Sequence, residues 1–237
     1  MHRLDEHREL EPKSLASAGR RFPNWGAFSV SPEGDELRQA KALAQKGLCG
    51  YCECALWHDG VLPKGGSHLD HFIPRRTEEG KKLLFSWDNL ILSCERKRTC
   101  GRRKDDKGVN RAKILNPLRD DVETYITFVL NSAWEICAVP RPGLSAEDKE
   151  RAQYNIDVVY NLNDPGLKSD RMNRFCALCA RMEECASSAG EGAEEDDMYR
   201  QLLDDILAGE FPTSMMDLAR ERVEMGLPFA AEGGFDR

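Results

Sequence analysis

Apolar residues recur at helical spacing in EGDELRQAKALAQK, where Leu37, Ala40, Leu43 and Ala44 share one face, and this predicts a helix over 33–46. Gly47 follows in the position where glycine commonly ends a helix. Residues 65–74 are short and strand-like, and WDNLILSC (87–94) is a second apolar run, followed by a basic, helix-compatible segment over 101–113. Tyr125, Phe128 and Val129 behind an acidic start predict a helix over 120–131, and Pro140 and Pro142 break the chain. Ser145-x-x-Asp148 caps a further helix reaching to about residue 160, and 169–185 reads as another. The small and acidic run ASSAGEGAEEDD (186–197) has the composition of a solvated hinge. Beyond it, YRQLLDDILAG and TSMMDLARERVEMG each carry an amphipathic helical pattern. Residues 1–32, with Pro12, Pro23 and Pro32 and scattered Phe22, Trp25 and Phe28, read as extended chain pinned onto a core.

These elements predict an α+β protein in four parts: an arm and helix (1–47), a compact strand–strand–helix module (48–115), a helical region (116–185), and an acidic hinge with two separable helices (186–237). No internal repeat interrupts this order. A chain of 237 residues has room for a sizeable core. It holds no apolar run of about 18 residues, so no membrane partner is expected. The charged opening MHRLDEHRELEPKS lacks the apolar stretch of a secretory signal, so the expected location is the cytoplasm, of a bacterium by the resemblance below. In that compartment paired cysteines more often hold metal than form disulfides.

The formal net charge of −7 argues against a nucleic-acid partner, but its distribution reverses the argument. Between residues 95 and 113 there are nine Lys or Arg against three acids, whereas 183–237 carries fifteen acids against four basic residues. Arg102, Arg103, Lys104 and Lys107 are the candidate phosphate contacts. The acidic end reads as a solvating tail, a partner surface, or an internal mimic that shields the basic strip.

Candidate chemistry is concentrated in the module. Cys49 and Cys52 form a Cys-x2-Cys pair, and Cys94 and Cys100 form a looser second pair. Four thiolates in two clusters suit a structural Zn²⁺, which takes tetrahedral sulfur ligands. Asp70, His71 and Asn89 lie between the pairs. A neutral imidazole at His71 can take a proton from water, Asp70 offers a hard oxygen to Mg²⁺ or Mn²⁺, and Asn89 can orient the ring or ligate the metal. Neighbours on a strand point to opposite faces, so Asp70 and His71 converge only through a bend or bulge. His68 shares the face of Asp70 and reads as a structural hydrogen-bonding group. Cys54 is a competing thiol with less natural spacing, and Cys176 and Cys179 read as core.

In this order, the residues resemble an HNH (ββα-metal) nuclease site. The wider chain is similar to the PtuB-type HNH endonucleases of Septu and retron anti-phage systems through EPKSLAS (11–17), CGYCE (49–53), HLDHFIPR (68–75), FSWDNLILSC (85–94), CGRRK (100–104), ILNP (114–117), VYNLN (159–163) and Arg171. The resemblance covers roughly residues 3 to 175. It implies His71 as general base, Asp70 as ligand of a catalytic cation, Asn89 as the middle residue, the four cysteines on zinc, and an ABC-type ATPase partner. One position departs: where many HNH motifs place His or Asn after the last cysteine, this chain has Gly101. Asp105, on the same helix face, reads either as the replacement ligand or as a surface acid pairing with Arg102. DNA is the favoured substrate. The alternatives are a ribonuclease of the tRNA-cleaving type and a non-catalytic zinc-knuckle adaptor, because phosphate contacts carry no information separating DNA from RNA.

Overall fold

The computed structural model describes residues 1–5, 7–57, 60–63, 65–106, 108–188 and 195–225. The expected phosphate contact Lys107 and the middle of the expected hinge (189–194) lie outside the described residues. Helix outweighs strand, 50% to 11%, so the chain is a mixed α+β protein.

The N-terminal arm is helical rather than extended: α1 spans Leu15–Arg21, α2 Trp25–Ser29 and α3 Pro32–Ala44. The prolines that suggested a broken arm stand just ahead of helices, where a missing N–H costs nothing. Pro32 opens α3, Ser31 Oγ accepts from Gly34 N, and Glu33 and Asp35 sit in the first turn. Asn24 caps α2 in the same way, accepting from Ala27 N. Leu15, Ala18, Trp25, Phe28, Leu37, Trp87 and Leu90 form a small apolar cluster beneath this arm.

Strand β1 (Ser67–His71) pairs antiparallel with β2 (Leu90–Cys94) in the register Ser67↔Cys94 through His71↔Leu90. The short helix α4 (Glu78–Lys82) lies between them, and α5 (Cys100–Lys104) follows β2. Every residue of β2 is buried, because one side of the hairpin packs on the arm and the other on the main core. Gln45 closes the free edge of β2: its Nε2 donates to Leu48 O and Leu92 O, and its Oε1 accepts from Leu92 N, all within 2.8–2.9 Å.

The region read as a helix over 120–131 is instead a hairpin. Strand β3 (Ile126–Leu130) pairs with β4 (Ile136–Pro140). ITFVL is β-branched and aromatic, and Asn131 Oδ1 accepts from Ala133 N and Glu135 N in the turn. Both outer edges of this ribbon are capped by side chains at one register row. Asp217 accepts from Phe128 N, and Asn163 bonds Ala138 N and O. After β4 come α6 (Ala146–Tyr154), with Ser145 Oγ accepting from Asp148 N, a π-turn over Asn155–Val159, and α7 (Pro165–Ser188).

The last two helices, α8 (Glu195–Ala208) and α9 (Pro212–Glu224), are not a separable extension. Leu202, Ile206, Phe211, Met215, Leu218 and Ala219 belong to the same apolar cluster as Ile91, Cys94 and Ile126. Acidic composition concealed this packing, because Asp204, Glu221 and Glu224 are exposed on helices whose apolar faces turn inward. The start of α9 also docks on the cysteine knuckle. Buried Glu53 accepts from Thr213 N at 3.0 Å and from Thr213 Oγ1, and it pairs with the Met1 amine at 2.8 Å. Among the described residues, no helix is long and apolar enough to cross a membrane.

Candidate metal centre and active site

Cys49 and Cys52 come from the tight knuckle that follows α3, Cys94 from the end of β2 and Cys100 from the start of α5. Their four buried sulfurs lie within 4.8 Å of one another, with Cys52 Sγ and Cys94 Sγ 4.0 Å apart. A tetrahedron of thiolates about 2.3 Å from a zinc has sulfurs about 3.8 Å apart, so the donor set fits a structural Zn²⁺. Arg171 supports this fit. Its side chain is fully buried, and its Nε and Nη2 have no hydrogen-bond partner. Burial weighs against its charged form, and Cys52, Glu53 and Cys100 are among the groups whose negative charge would favour it. A zinc tetrathiolate, with net charge −2, would add to the counter-charge that Glu53 provides. Cys54 stands outside the four-sulfur group, and Cys176 and Cys179 are half-buried on α7 away from it.

The knuckle carries a residue that sequence reasoning missed. Tyr51, between the first two cysteines, is buried and stacked on Tyr160 at 4.9 Å, and its hydroxyl donates to Asp70 Oδ2. The four-cysteine knuckle therefore holds one of the acids of the candidate site directly. The Cys-Gly-Tyr-Cys sequence was the available signal, but it was read for its thiols alone.

Asp70 and His71 do not converge through a bulge. The ladder is regular to its end, so their side chains leave opposite faces of β1. Asp70, 4% exposed, faces Tyr51 and α5. His71, also 4% exposed, faces the arm, with the Trp25 ring edge-on at 4.3 Å. His71 Nε2 lies 2.9 Å from Leu84 O. A carbonyl only accepts, so Nε2 carries the proton and Nδ1 keeps the lone pair that a general base needs. Burial, helped by the nearby Arg75 and Lys104 charges, lowers the His71 pKa to about 4 against the weaker opposing pull of Leu84 O and Asp70. The ring is neutral at physiological pH.

Asn89 neither touches the His71 ring nor joins an acid cluster. Its Oδ1 accepts from Ile73 N at 2.7 Å, and its Nδ2 donates to Ile73 O and Leu83 O. It staples the chain leaving β1 to the segment carrying Leu84, and so fixes the carbonyl that sets the His71 tautomer. The middle residue acts here through backbone, not through ring or metal. His68 pairs with Glu95, Nδ1 to Oε1 at 3.2 Å.

The expected divalent-cation ligands meet a different partner. Lys104, expected on the surface among phosphate contacts, is fully buried. Its Nζ lies 3.3 Å from Asp70 Oδ2 and 2.7 Å from Asp105 Oδ1. Asp105 therefore pairs with Lys104, while Arg102 pairs with Glu95. Gly101 is glycine because α5 starts against Asp70: a Cβ there would stand 2.9 Å from Asp70 Cγ and 3.1 Å from Ser93 Oγ. Mg²⁺ or Mn²⁺ demands about six oxygens near 2.1 Å. Two carboxylates separated by an ammonium, with no side chain at Gly101, do not fit that requirement as folded.

Of the basic strip, Arg102 and Arg103 remain on the surface, 52% and 39% exposed. Replacing both with alanine should weaken nucleic-acid binding across sequences and reduce the salt slope by up to about two contacts' worth, roughly 0.9 per phosphate lost. Titrations at several salt concentrations check this, and an unchanged slope would place the binding groove elsewhere. Comparison with protein-family models and with curated proteins gives no match to this chain.

Proposed function

We propose that this chain hydrolyses phosphodiester bonds in nucleic acid, DNA in preference to RNA, as the nuclease of an anti-phage system that works with an ABC-type ATPase. The observation that carries this reading is a neutral His71 whose protonated nitrogen is tied to Leu84 O. It leaves the face of β1 opposite a carboxylate–ammonium pair, on a hairpin whose far end four thiols clamp. His71 Nδ1 takes the proton of the attacking water as the oxygen bonds to phosphorus, and the bond to the leaving oxygen breaks, that oxygen taking a proton from solvent water. Cys49, Cys52, Cys94 and Cys100 would hold a zinc that ties β2 to α5 and takes no part in the chemistry. Arg102 and Arg103 meet the flanking phosphates. Trp25 lies over His71, so substrate reaches the base only when α2 moves aside, which provides a partner with something to control.

The second reading, a non-catalytic zinc-knuckle adaptor, is favoured by the burial of both Asp70 and His71. Incubating zinc-loaded protein with plasmid DNA and with structured RNA, in Mg²⁺ or Mn²⁺ and with and without a candidate ABC-type ATPase partner, separates the two. Cutting supports the nuclease, and the preferred polymer decides between DNA and RNA. Binding without cutting under every condition supports the adaptor.

A further inference from the structure

We propose that Lys104 is the resident cation of this site and excludes a divalent metal ion from Asp70 and Asp105 until it is displaced. The inference deepens the nuclease reading and rests on it for its bearing on cleavage, although cation binding itself can be read without any cutting.

The Lys104 ammonium has its full complement of acceptors. Besides Asp70 Oδ2 and Asp105 Oδ1, it lies 3.2 Å from His71 O and 3.4 Å from Phe72 O. An ammonium has three protons, so four oxygens at these distances saturate it. These are two carboxylates and two carbonyls, the hard oxygen donors that a divalent cation would take. They converge on a nitrogen inside the protein, with the Lys104 side chain fully buried.

A second cation stands beside the first. Arg111 donates through Nη2 to Phe72 O, and the charges of Asp105 and Asp70 are among those stabilising its guanidinium. The local balance is therefore two acids against two bases, with Arg76 adding a further positive charge near Arg111. Adding a divalent ion without removing Lys104 would leave an excess of positive charge against the buried Asp70 and Lys104, which their low-dielectric surroundings penalise. The geometry opposes it as well. Oxygens placed 2.7–3.4 Å around a nitrogen would have to close by about an ångström to reach a metal.

Gly101 makes the same substitution from the other side. The position that would aim a further ligand at the cation has no side chain and no room for one, since a Cβ would crowd Asp70. The ligand lost at Gly101 and the cation gained at Lys104 lie on one five-residue helix, so α5 as a whole sets the site for an internal ammonium. Displacing Lys104 requires its surroundings to rearrange.

Mn²⁺ titration of the zinc-loaded full chain, read by the loss of the free-ion electron paramagnetic resonance signal, tests this without cleavage. Wild type and D70N should show the same weak binding, with no site tighter than millimolar. K104M should gain one site at least about tenfold tighter, and K104M/D70N should lose it. K104Q, whose amide still reaches the His71 and Phe72 carbonyls, serves if K104M loses its zinc or its fold. A tight Mn²⁺ site in wild type that D70N removes would overturn the inference, as would K104M and K104Q binding no better than wild type. His71-dependent cutting by a wild type that carries Mn²⁺ at Asp70 would refute this inference and leave the nuclease reading standing. Failure of all cutting would refute that reading and leave the Mn²⁺ result unaffected.

Discussion

Cys52→Ser, or removal of zinc by a strong chelator, should abolish cooperative unfolding and drive the protein to aggregate. The four thiols join the knuckle, the end of β2 and the start of α5, segments otherwise tied by single hydrogen bonds such as Gly50 N to Leu92 O and Gly101 N to Ser93 Oγ. Binding energy at a structural zinc is folding energy, on the order of 10 kcal/mol for a full set of ligands, and net stability is roughly 5–15 kcal/mol. The loss would propagate, because Tyr51 between two of the ligands holds Asp70, and Cys100 N donates to Tyr160 O. Elemental analysis should find one zinc per chain in unperturbed protein. A metal-free preparation melting cooperatively at the same temperature would show that the four sulfurs are an ordinary buried cluster.

Ending the chain after Ser188 should be almost as damaging. The lost helices contribute Leu202, Ile206, Phe211, Met215, Leu218 and Ala219 to the main core. At about 1.5–3 kcal/mol for each large apolar side chain, their burial totals on the order of 10 kcal/mol. Truncation also strips Asp217 from the edge of β3 and Thr213 from Glu53, leaving a buried carboxylate and a strand N–H short of partners. The truncated protein should be insoluble or lack cooperative melting by calorimetry. A soluble, zinc-loaded fragment with a sharp transition would mean that α8 and α9 only lean on a core complete without them.

The parts of this structure legible from sequence are those whose chemistry is local. Cysteine spacing identified the four sulfurs, since a chelating turn needs both thiols within a few residues. Helix α3 was legible because Leu37, Ala40, Leu43 and Ala44 share one face and Gly47 follows them, although its true start at Ser31 and Pro32 was assigned to the arm. The β3 segment misled because Tyr125, Phe128 and Val129 satisfy helical spacing in a run too short for periodicity to decide, while its β-branched and aromatic content pointed to strand.

The site was half legible for a related reason. Residue types identified Asp70, His71 and Asn89, but their roles depend on which face of β1 each occupies and which backbone lies opposite. Nothing local to Asn89 shows that its amide is spent on Ile73 and Leu83. Lys104 sits in a run of arginines and lysines that composition assigns to solvent, and only the seating of α5 against Asp70 turns that one side chain inward. The tail was misjudged because net charge describes its outer face and says nothing of Phe211 or Met215.

The most direct test of the nuclease account is single-turnover cleavage by wild type and by His71→Ala, under conditions where the wild type cuts. Zinc content, melting temperature and nucleic-acid affinity are measured on both proteins. The variant should keep its zinc, its fold and its grip on substrate while losing about two to four orders of magnitude in rate, the usual cost of removing a general base. Cleavage by His71→Ala at the wild-type rate would remove His71 from the chemistry and contradict the account.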